Sequence, residues 1–317
     1  MKPLLSIVIA NYNYGRFLEE AIRSVIAQDM SDQVEVIVCD AASTDNSVDI
    51  IKKYANGLPP NTPRSEWATN DQRLTTNDQR PTTNDQRLAT NDQRLITWWC
   101  SEPDGGQSAA FNKGFSHANG RFLTWLNADD VLLPGTVAAL ARAAERWPDC
   151  EWFVGGCFWL DPEMRVLKCF RARGFSEVRF RTGQVSSWGP SSFFTKRLLD
   201  AVGGVDERCQ YTMDGDLWLK FAAIAGARYR PFAKYVWGLR LHENGKMSGH
   251  NFAGSAHQSP DHPKWAQIRR EGELRKAYFT PAAKRNRWNW LRSIHWPEVI
   301  MSRVDTMRYK GRHYLGL

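Results

Sequence analysis

Three apolar runs in this chain end in oxygen-bearing side chains. "LSIVIANYN" closes on Asn11, Tyr12 and Asn13, "VEVIVCD" on Asp40, and "RFLTWLNADD" on Asn127, Asp129 and Asp130. Carboxylates gathered in this way form an oxygen-rich, negative pocket that suits a hard cation. Mg²⁺ or Mn²⁺ takes one or two protein carboxylates and completes its shell with phosphate oxygens and water. A single Asp of this kind reads as a helix cap or a solvated turn. Three at successive run ends point instead to a metal–phosphate site. Further along, "TMDGDLWLK" carries Asp214 and Asp216, and a positioned carboxylate can take the proton of an attacking hydroxyl. Alone, that pair reads as acidic residues favoured by a helix dipole. No G-x-G-x-x-G follows the first run and no G-x-x-x-x-G-K-[ST] loop occurs, so phosphate must be handled by metal and side chains.

Such residues need elements to hold them. Leu5–Ala10 is a short, apolar, β-branched run, as a strand buried on both faces is, and Val34–Asp40 reads as a second strand. Between them, Phe17, Leu18, Ala21, Ile22, Val25 and Ile26 fall on one helical stripe. "STDNSVDIIKKYA" predicts a second helix with Ser43, Thr44 and Asp45 as capping candidates. "LITWWC", "GQSAAFNKGFSHA" and "RFLTWLNADD" continue the alternation as strand, helix and strand. The order β-α-β-α-β-α-β predicts an α/β fold, a doubly wound, mostly parallel sheet flanked by helices. Ligands bind such sheets at the carboxyl ends of the strands, where the polar residues above converge.

Four ordered blocks now carry a resemblance: "LSIVIANYNYGRFLEEAIRSVIAQ", "VIVCDAASTDNSVDIIKKYA", "SEPDGGQSAAFNKGFSHANGRFLTWLNADDVLLPG" and "GPSSFFTKRLLDAVGGVDERCQYTMDGDLWLKFA". Together they resemble glycosyltransferase family 2 with its GT-A fold, over roughly residues 4–56 and 97–240. The resemblance implies an inverting transferase that moves a sugar from a nucleotide-diphospho-sugar to a hydroxyl of a saccharide or lipid-linked acceptor, in cell-surface polysaccharide synthesis. It assigns Tyr12 and Asp40 to the nucleoside, with Asn11, Asn13 and Asn112 beside them in the donor set. Asn127-Ala128-Asp129-Asp130 matches the D-x-D element, with Asn in place of its first carboxylate. Asp129 and Asp130 must then carry the metal, Mg²⁺ or Mn²⁺. Asp214 matches the catalytic base, and Asp216 is a helix-start or acceptor-side alternative. His242 and Lys246, in "GLRLHENGKMSG", are candidates for metal and diphosphate on a closing loop, with Gly245 and Gly249 as hinges. Trp188 could stack on an acceptor sugar or pack in the core, while Trp125 and Trp218 read as core. The family's G-Q-S-D segment appears here as Gly106-Gln107-Ser108-Ala109. The lost carboxylate keeps a second reading open, a degenerate protein that binds nucleotide sugar without turnover.

This organisation divides the chain into a GT-A catalytic domain over 1–250 and a basic, Trp-rich extension over 251–317. The chain's net charge is +8, and residues 264–317 hold thirteen Lys/Arg against four Asp/Glu. "KRNRWNWLRSIHW" interleaves those cations with aromatic residues, which suggests contact of 281–317 with an anionic membrane surface, or an amphipathic helix packed on the domain. No DNA- or RNA-binding motif accompanies it, so nucleic acid is not an expected partner. Six cysteines without a C-x-x-C pair read as buried thiols in a reducing compartment. The N-terminal apolar run lacks a cleavage site and reads as a strand. No stretch reaches the ~18 apolar residues of a spanning helix. The expected setting is the cytoplasm, peripheral to its membrane.

Inside 60–95 a seven-residue unit, Thr-Asn-Asp-Gln-Arg-Leu/Pro-x, repeats four times from Thr69. It has one apolar position where a coiled coil needs two, and Pro81 breaks its second copy. It reads as a polar insertion between the second helix and the third strand.

Overall fold

The computed structural model describes residues 2–56, 95–173, 175, 189–223, 228–246, 263–275 and 296–316. The repeats before Leu95, Trp188, Gly249 and the segment 276–295 lie outside them.

Strand β1 (Leu5–Asn11) pairs in parallel with β2 (Val34–Asp40) on one side and with β4 (Phe122–Asn127) on the other. Beyond β2 lies β3 (Trp98–Ser101), also parallel. Alternate side chains of this half feed two cores. Ile7, Ile9, Val36 and Val38 face helices α1 (Gly15–Ile26), α2 (Ser47–Ala55) and, farther along, α4 (Thr136–Arg146). Val8, Ile37 and Cys39 face α3 (Gln107–His117) and α5 (Lys196–Ala201) with α6 (Met213–Ala223). That is why the middles of these strands are apolar on both faces: neither face meets water. All six residues of the α1 stripe are buried. Helix α3 comes so close to the sheet that a Cβ on Gly114 would collide with the Val8 side chain.

The second half of the sheet is mixed. Past β4 run β8 (Ser192–Thr195), β6 (Trp152–Leu160), β9 (Tyr229–Arg240) and β5 (Val131–Leu132), with β7 (Val166–Phe170) on β6. Here β6 and β9 are parallel, while β4–β8, β6–β8, β6–β7 and β5–β9 are antiparallel. The parallel order expected from the sequence therefore holds through β4, and β5, β7 and β8 run antiparallel to their neighbours. Trp125, Trp152 and Trp218 stack at the junction, with ring centroids 5.6 and 5.2 Å apart across Trp218. Trp218 is fully buried, and truncating it to Ala would cost on the order of 3–5 kcal/mol.

The C-terminal residues fold back on this body. Helix α7 (Pro263–Arg275) covers the start of α6, and α8 (Trp296–Tyr309) lies along β7. Tyr314 joins a third cluster with Val131, Leu160 and Val166. All six cysteines are free thiols, and no helix of the described residues is long and apolar enough to cross a membrane.

The two ends of the parallel half differ in purpose. At the amino end, buried Glu35 accepts hydrogen bonds from Ser6 Oγ (2.5 Å) and Asn119 N (2.7 Å), tying the strand starts together. At the carboxyl end the polar residues open onto a cleft.

Candidate active site

The cleft measures about 820 Å³ and crosses the carboxyl ends of β1 and β4. Its walls come from Asn11, Tyr12 and Tyr14 after β1, Asp104 and Gln107 at the start of α3, Asn127 and Asp129 after β4, and Gln210–Gly215 at the start of α6. Lys246, Lys264 and Ile268 close it, and Trp125 and Trp218 lie beneath. Both Trp residues are core, as expected, and also serve as floor.

Asp129 and Asp130 are neighbours with opposite fates. The Asp129 side chain remains partly open to the cleft, and its Oδ2 lies 3.0 Å from His242 Nε2. His242 is itself buried against Phe17 and Tyr14 and meets Arg16 Nη2 through Nδ1 at 3.4 Å. Asp130 points inward, fully buried, and accepts from Arg240 N (3.0 Å) and Asn127 Nδ2 (2.8 Å). Burial, with the Asp129 charge beside it, pushes its pKa well above the ordinary carboxylate value. Asp130 is therefore not a cleft ligand, which corrects the expectation that both carboxylates carry the metal.

Asn127 explains itself in this setting. Lys246 Nζ donates to Gln107 Oε1 (2.7 Å), Gln107 Nε2 donates to Asn127 Oδ1 (2.6 Å), and Asn127 Nδ2 donates to Asp130. Each group donates onward in one direction. A carboxylate at 127 would have no proton for Asp130 and would add a like charge next to it. The Lys246 ammonium also donates to Gln210 O (3.2 Å). Lys246 is exposed as a residue, yet its ammonium is enclosed enough for burial to lower its pKa, with Asp129 and Glu271 opposing.

Asp214 lines the cleft in the first turn of α6, where its Oδ1 accepts from Gly215 N at 2.7 Å. The turn before it is held from another element. Glu271 of α7, fully buried, accepts from the backbone N of Gln210 (2.8 Å), Tyr211 (3.1 Å) and Thr212 (2.8 Å), and from Thr212 Oγ1 (2.7 Å). These are charge-assisted bonds to amides that precede the helix and have no partner inside it. Gly106 opposite has φ +102°, and a Cβ there would press on the Gln210 side chain. Glu271, Gln210, Tyr14 and Lys264 were missed in the sequence, and Gln107 stood there only as a member of the Gly106–Ala109 segment. Glu271 acts across a long separation that no local motif records.

Other expected residues take supporting places. Asp40 is buried and accepts from Asn11 Nδ2 (2.6 Å), Ser43 N (2.9 Å), Ser43 Oγ (2.5 Å) and Ser101 Oγ (2.6 Å). It does not line the cleft; it fixes the corner that carries Asn11 and Ala41 there. Asn13, at φ 55°, accepts from Thr44 N (2.8 Å) and pins the same corner. Asp45 accepts from Ser47 N (3.0 Å), the first amide of α2, and from Gly15 N (2.8 Å), the first of α1, so it caps and joins the starts of both helices. Asn112 binds Val205 N and O (both 2.9 Å), off the cleft. Asp216 is fully buried and pairs with Lys220 Nζ (2.7 Å), so it faces no acceptor. With Asp206 and Cys209 it forms a cluster of metal-ligand types, but Lys220 already supplies the cation there. Tyr12 stands 60% exposed on the cleft rim, and Trp188 lies outside the described residues.

Asp129 and His242 are the pair suited to a divalent ion. A carboxylate oxygen and an imidazole nitrogen 3.0 Å apart make a mixed O/N donor set, and cleft water or phosphate can fill the remaining positions.

The model of the family described as "Glycosyl transferase family 2" matches residues 6–74 and 83–164, and the break at 75–82 falls within the repeats. An uncharacterized glycosyltransferase of Nostoc sp. is 33% identical over 130 residues, 41% of this chain and 29% of that protein. A GalNAc(5)-diNAcBac-PP-undecaprenol beta-1,3-glucosyltransferase of Campylobacter jejuni is 26% identical over 203 residues, 62% of this chain and 53% of that one. The chain thus spans 29% and 53% of these relatives' lengths. Among solved structures, S. aureus TarS 1-349 in complex with UDP-GlcNAc superimposes with a TM-score of 0.56 at 16% identity, covering 98% of this chain and 82% of that one. At that identity the likeness is one of fold, the GT-A architecture.

Proposed function

The chain belongs to glycosyltransferase family 2, and from that premise we propose that it is an inverting, metal-dependent transferase. Its donor is a nucleotide-diphospho-sugar and its acceptor a hydroxyl of a saccharide or lipid-linked glycan. The observation that carries this reading is the meeting of Asp129, Lys246 and Asp214 in one cleft, from three separate parts of the chain. Both the UDP-GlcNAc of the TarS complex and the lipid-linked substrate named for the Campylobacter relative agree with these classes.

An acceptor hydroxyl is a poor nucleophile near neutral pH. Asp214 takes its proton as the oxygen attacks the anomeric carbon from the side opposite the diphosphate. The C–O bond to the nucleoside diphosphate breaks, and the configuration at that carbon inverts. Asp129 and His242 would hold a divalent ion, Mg²⁺ or Mn²⁺. That ion supplies Lewis-acid stabilisation of the departing charge. Lys246 adds a fixed cation at the same wall, oriented by Gln107 before the reaction begins. Tyr12, exposed on the rim, would cover the nucleobase. The free thiols agree with a cytoplasmic setting.

A thermal-shift screen of UDP-, GDP- and dTDP-sugars, with and without Mn²⁺, followed by product analysis, tests the proposal. A metal-dependent shift and transfer with the same donor support it. A shift without transfer or donor hydrolysis for every donor would favour a binding protein instead.

A further inference from the structure

Helix α8 is turned inside out. A surface helix ordinarily buries its apolar stripe and shows its polar face to water. Here Ser302 and Asp305 are buried, while Ile300 (55%), Met301 (38%), Val304 (41%) and Met307 (76%) are exposed.

The polar face has a reason to point inward. Strand β7 pairs with β6 on one side, and its other edge would leave amides open. Ser302 Oγ accepts from Arg171 N (3.1 Å), and Thr306 Oγ1 accepts from Cys169 N (3.0 Å). Four helical residues rise ~6 Å and two strand residues ~6.6 Å, so hydroxyls one turn apart match alternate amides on a strand. Asp305 then takes Arg171 Nε at 2.6 Å and the Tyr235 hydroxyl. Polar groups thus serve the sheet edge, which leaves the apolar stripe facing out.

At ~100° per residue, Ile300, Val304 and Met307 fall within one narrow sector. Arg303 borders it on one side and Arg308 on the other; both are exposed, as are Lys310 and Arg312 just beyond. Among the described side chains from 299 to 315, Asp305 is the sole acid, and it is already paired with Arg171. An apolar strip between two cationic borders is the pattern of a helix lying in a bilayer interface, with acyl chains beneath and anionic headgroups at its flanks. Two copies meeting through this face would set those cations against each other. An anionic lipid surface neutralises them.

We propose that the outer face of α8, with Ile300, Val304 and Met307 as its apolar strip and Arg303 and Arg308 as its borders, docks the protein on an anionic lipid bilayer. It extends the proposed function, since a lipid-linked acceptor is presented at such a surface, but its evidence is separate from the cleft.

Flotation of the full chain with phosphatidylcholine vesicles, with and without phosphatidylglycerol, tests it. Wild type should float with the anionic vesicles and remain soluble with the neutral ones. Val304→Asp/Met307→Asp should cut the bound fraction about tenfold, and Arg303→Glu/Arg308→Glu should abolish the preference for anionic lipid. Val304→Asp/Met307→Asp should melt with wild type, because its altered side chains are exposed, and Arg303→Glu/Arg308→Glu slightly lower, because Arg308 favours the charge of Asp305. Wild type that stays soluble with anionic vesicles overturns the proposal. So does equal flotation of Val304→Asp/Met307→Asp, or a wild-type dimer in sedimentation that this variant splits. Transfer to a water-soluble acceptor should be unchanged in these variants. Its absence in wild type would count against the transferase reading alone.

Discussion

The two halves of the sheet reach the cleft by different routes. In the parallel half, Asn11, Asn127 and Asp129 lie at or within two residues of a strand's end, and the strands bring them together. In the mixed half, Asp214 stands on a helix whose preceding turn is held by Glu271, and Lys246 stands beyond β9, held by Gln107 and Gln210. The first half holds its site through the sheet; the second holds its site through side chains from distant segments. Binding groups on the rigid half and reacting groups on the clamped half should therefore fail differently when altered.

The sharpest way to break that contrast is Asp214→Asn. It should lower kcat by about 10²- to 10⁴-fold while leaving nucleotide-sugar affinity within a few-fold, as loss of a general base does. Calorimetric titration beside steady-state rates would show the split. A matching loss of affinity would mean that Asp214 serves binding, as the parallel half does.

Glu271→Gln comes next in size. A carboxamide has one acceptor oxygen where Glu271 uses two for five donors, the four of the turn and Gln267 Nε2, so about 1–3 kcal/mol of clamping should be lost. Expected is a kcat about tenfold lower with the donor KM nearly held, since the base moves but the parallel half does not. Equal losses in kcat and donor affinity would erase the distinction between the halves.

Asp206, ahead of the same turn, offers a smaller test through pH. Its bonds with Arg208 outweigh burial and hold its pKa down to about 2. A depressed folded-state pKa gives stability that is complete above the unfolded value of ~4 and is lost as pH falls through about 2. Asp206→Asn should therefore lower Tm near neutral pH and make no difference at the acid end. An unchanged gap across that window would remove the ion pair from the turn's support.

The smallest effect is expected from deleting residues 65–94, the repeats between α2 and β3. Folding and transfer should stay near wild type, because Thr97 N still reaches Val36 O and β3 still pairs with β2. Loss of the fold on circular dichroism would give the array a structural part.

How far the site was legible follows the same division. Continuous burial made β1, β2 and β4 readable as apolar runs, and a polar residue after a buried strand has few places to go. What could not be read locally is direction. Asp129 and Asp130 are adjacent, yet one faces the cleft and the other is buried beneath Asn127. Asp40 lies at the right strand end but spends its oxygens on four bonds from Asn11, Ser43 and Ser101. Asn13 and Asn112 read as polar and available, and both are committed to backbone. Glu271 lies sixty residues from the turn it clamps, in a segment whose charge suggested only a basic surface. Such contacts are fixed by tertiary packing, which spacing does not record.

The stereochemistry of a single turnover bears most directly on the mechanism. With the donor found by screening, NMR of the product's anomeric carbon before mutarotation reports which face was attacked. Direct displacement assisted by Asp214 predicts the configuration opposite to that of the donor. A product that keeps the donor's configuration would contradict it.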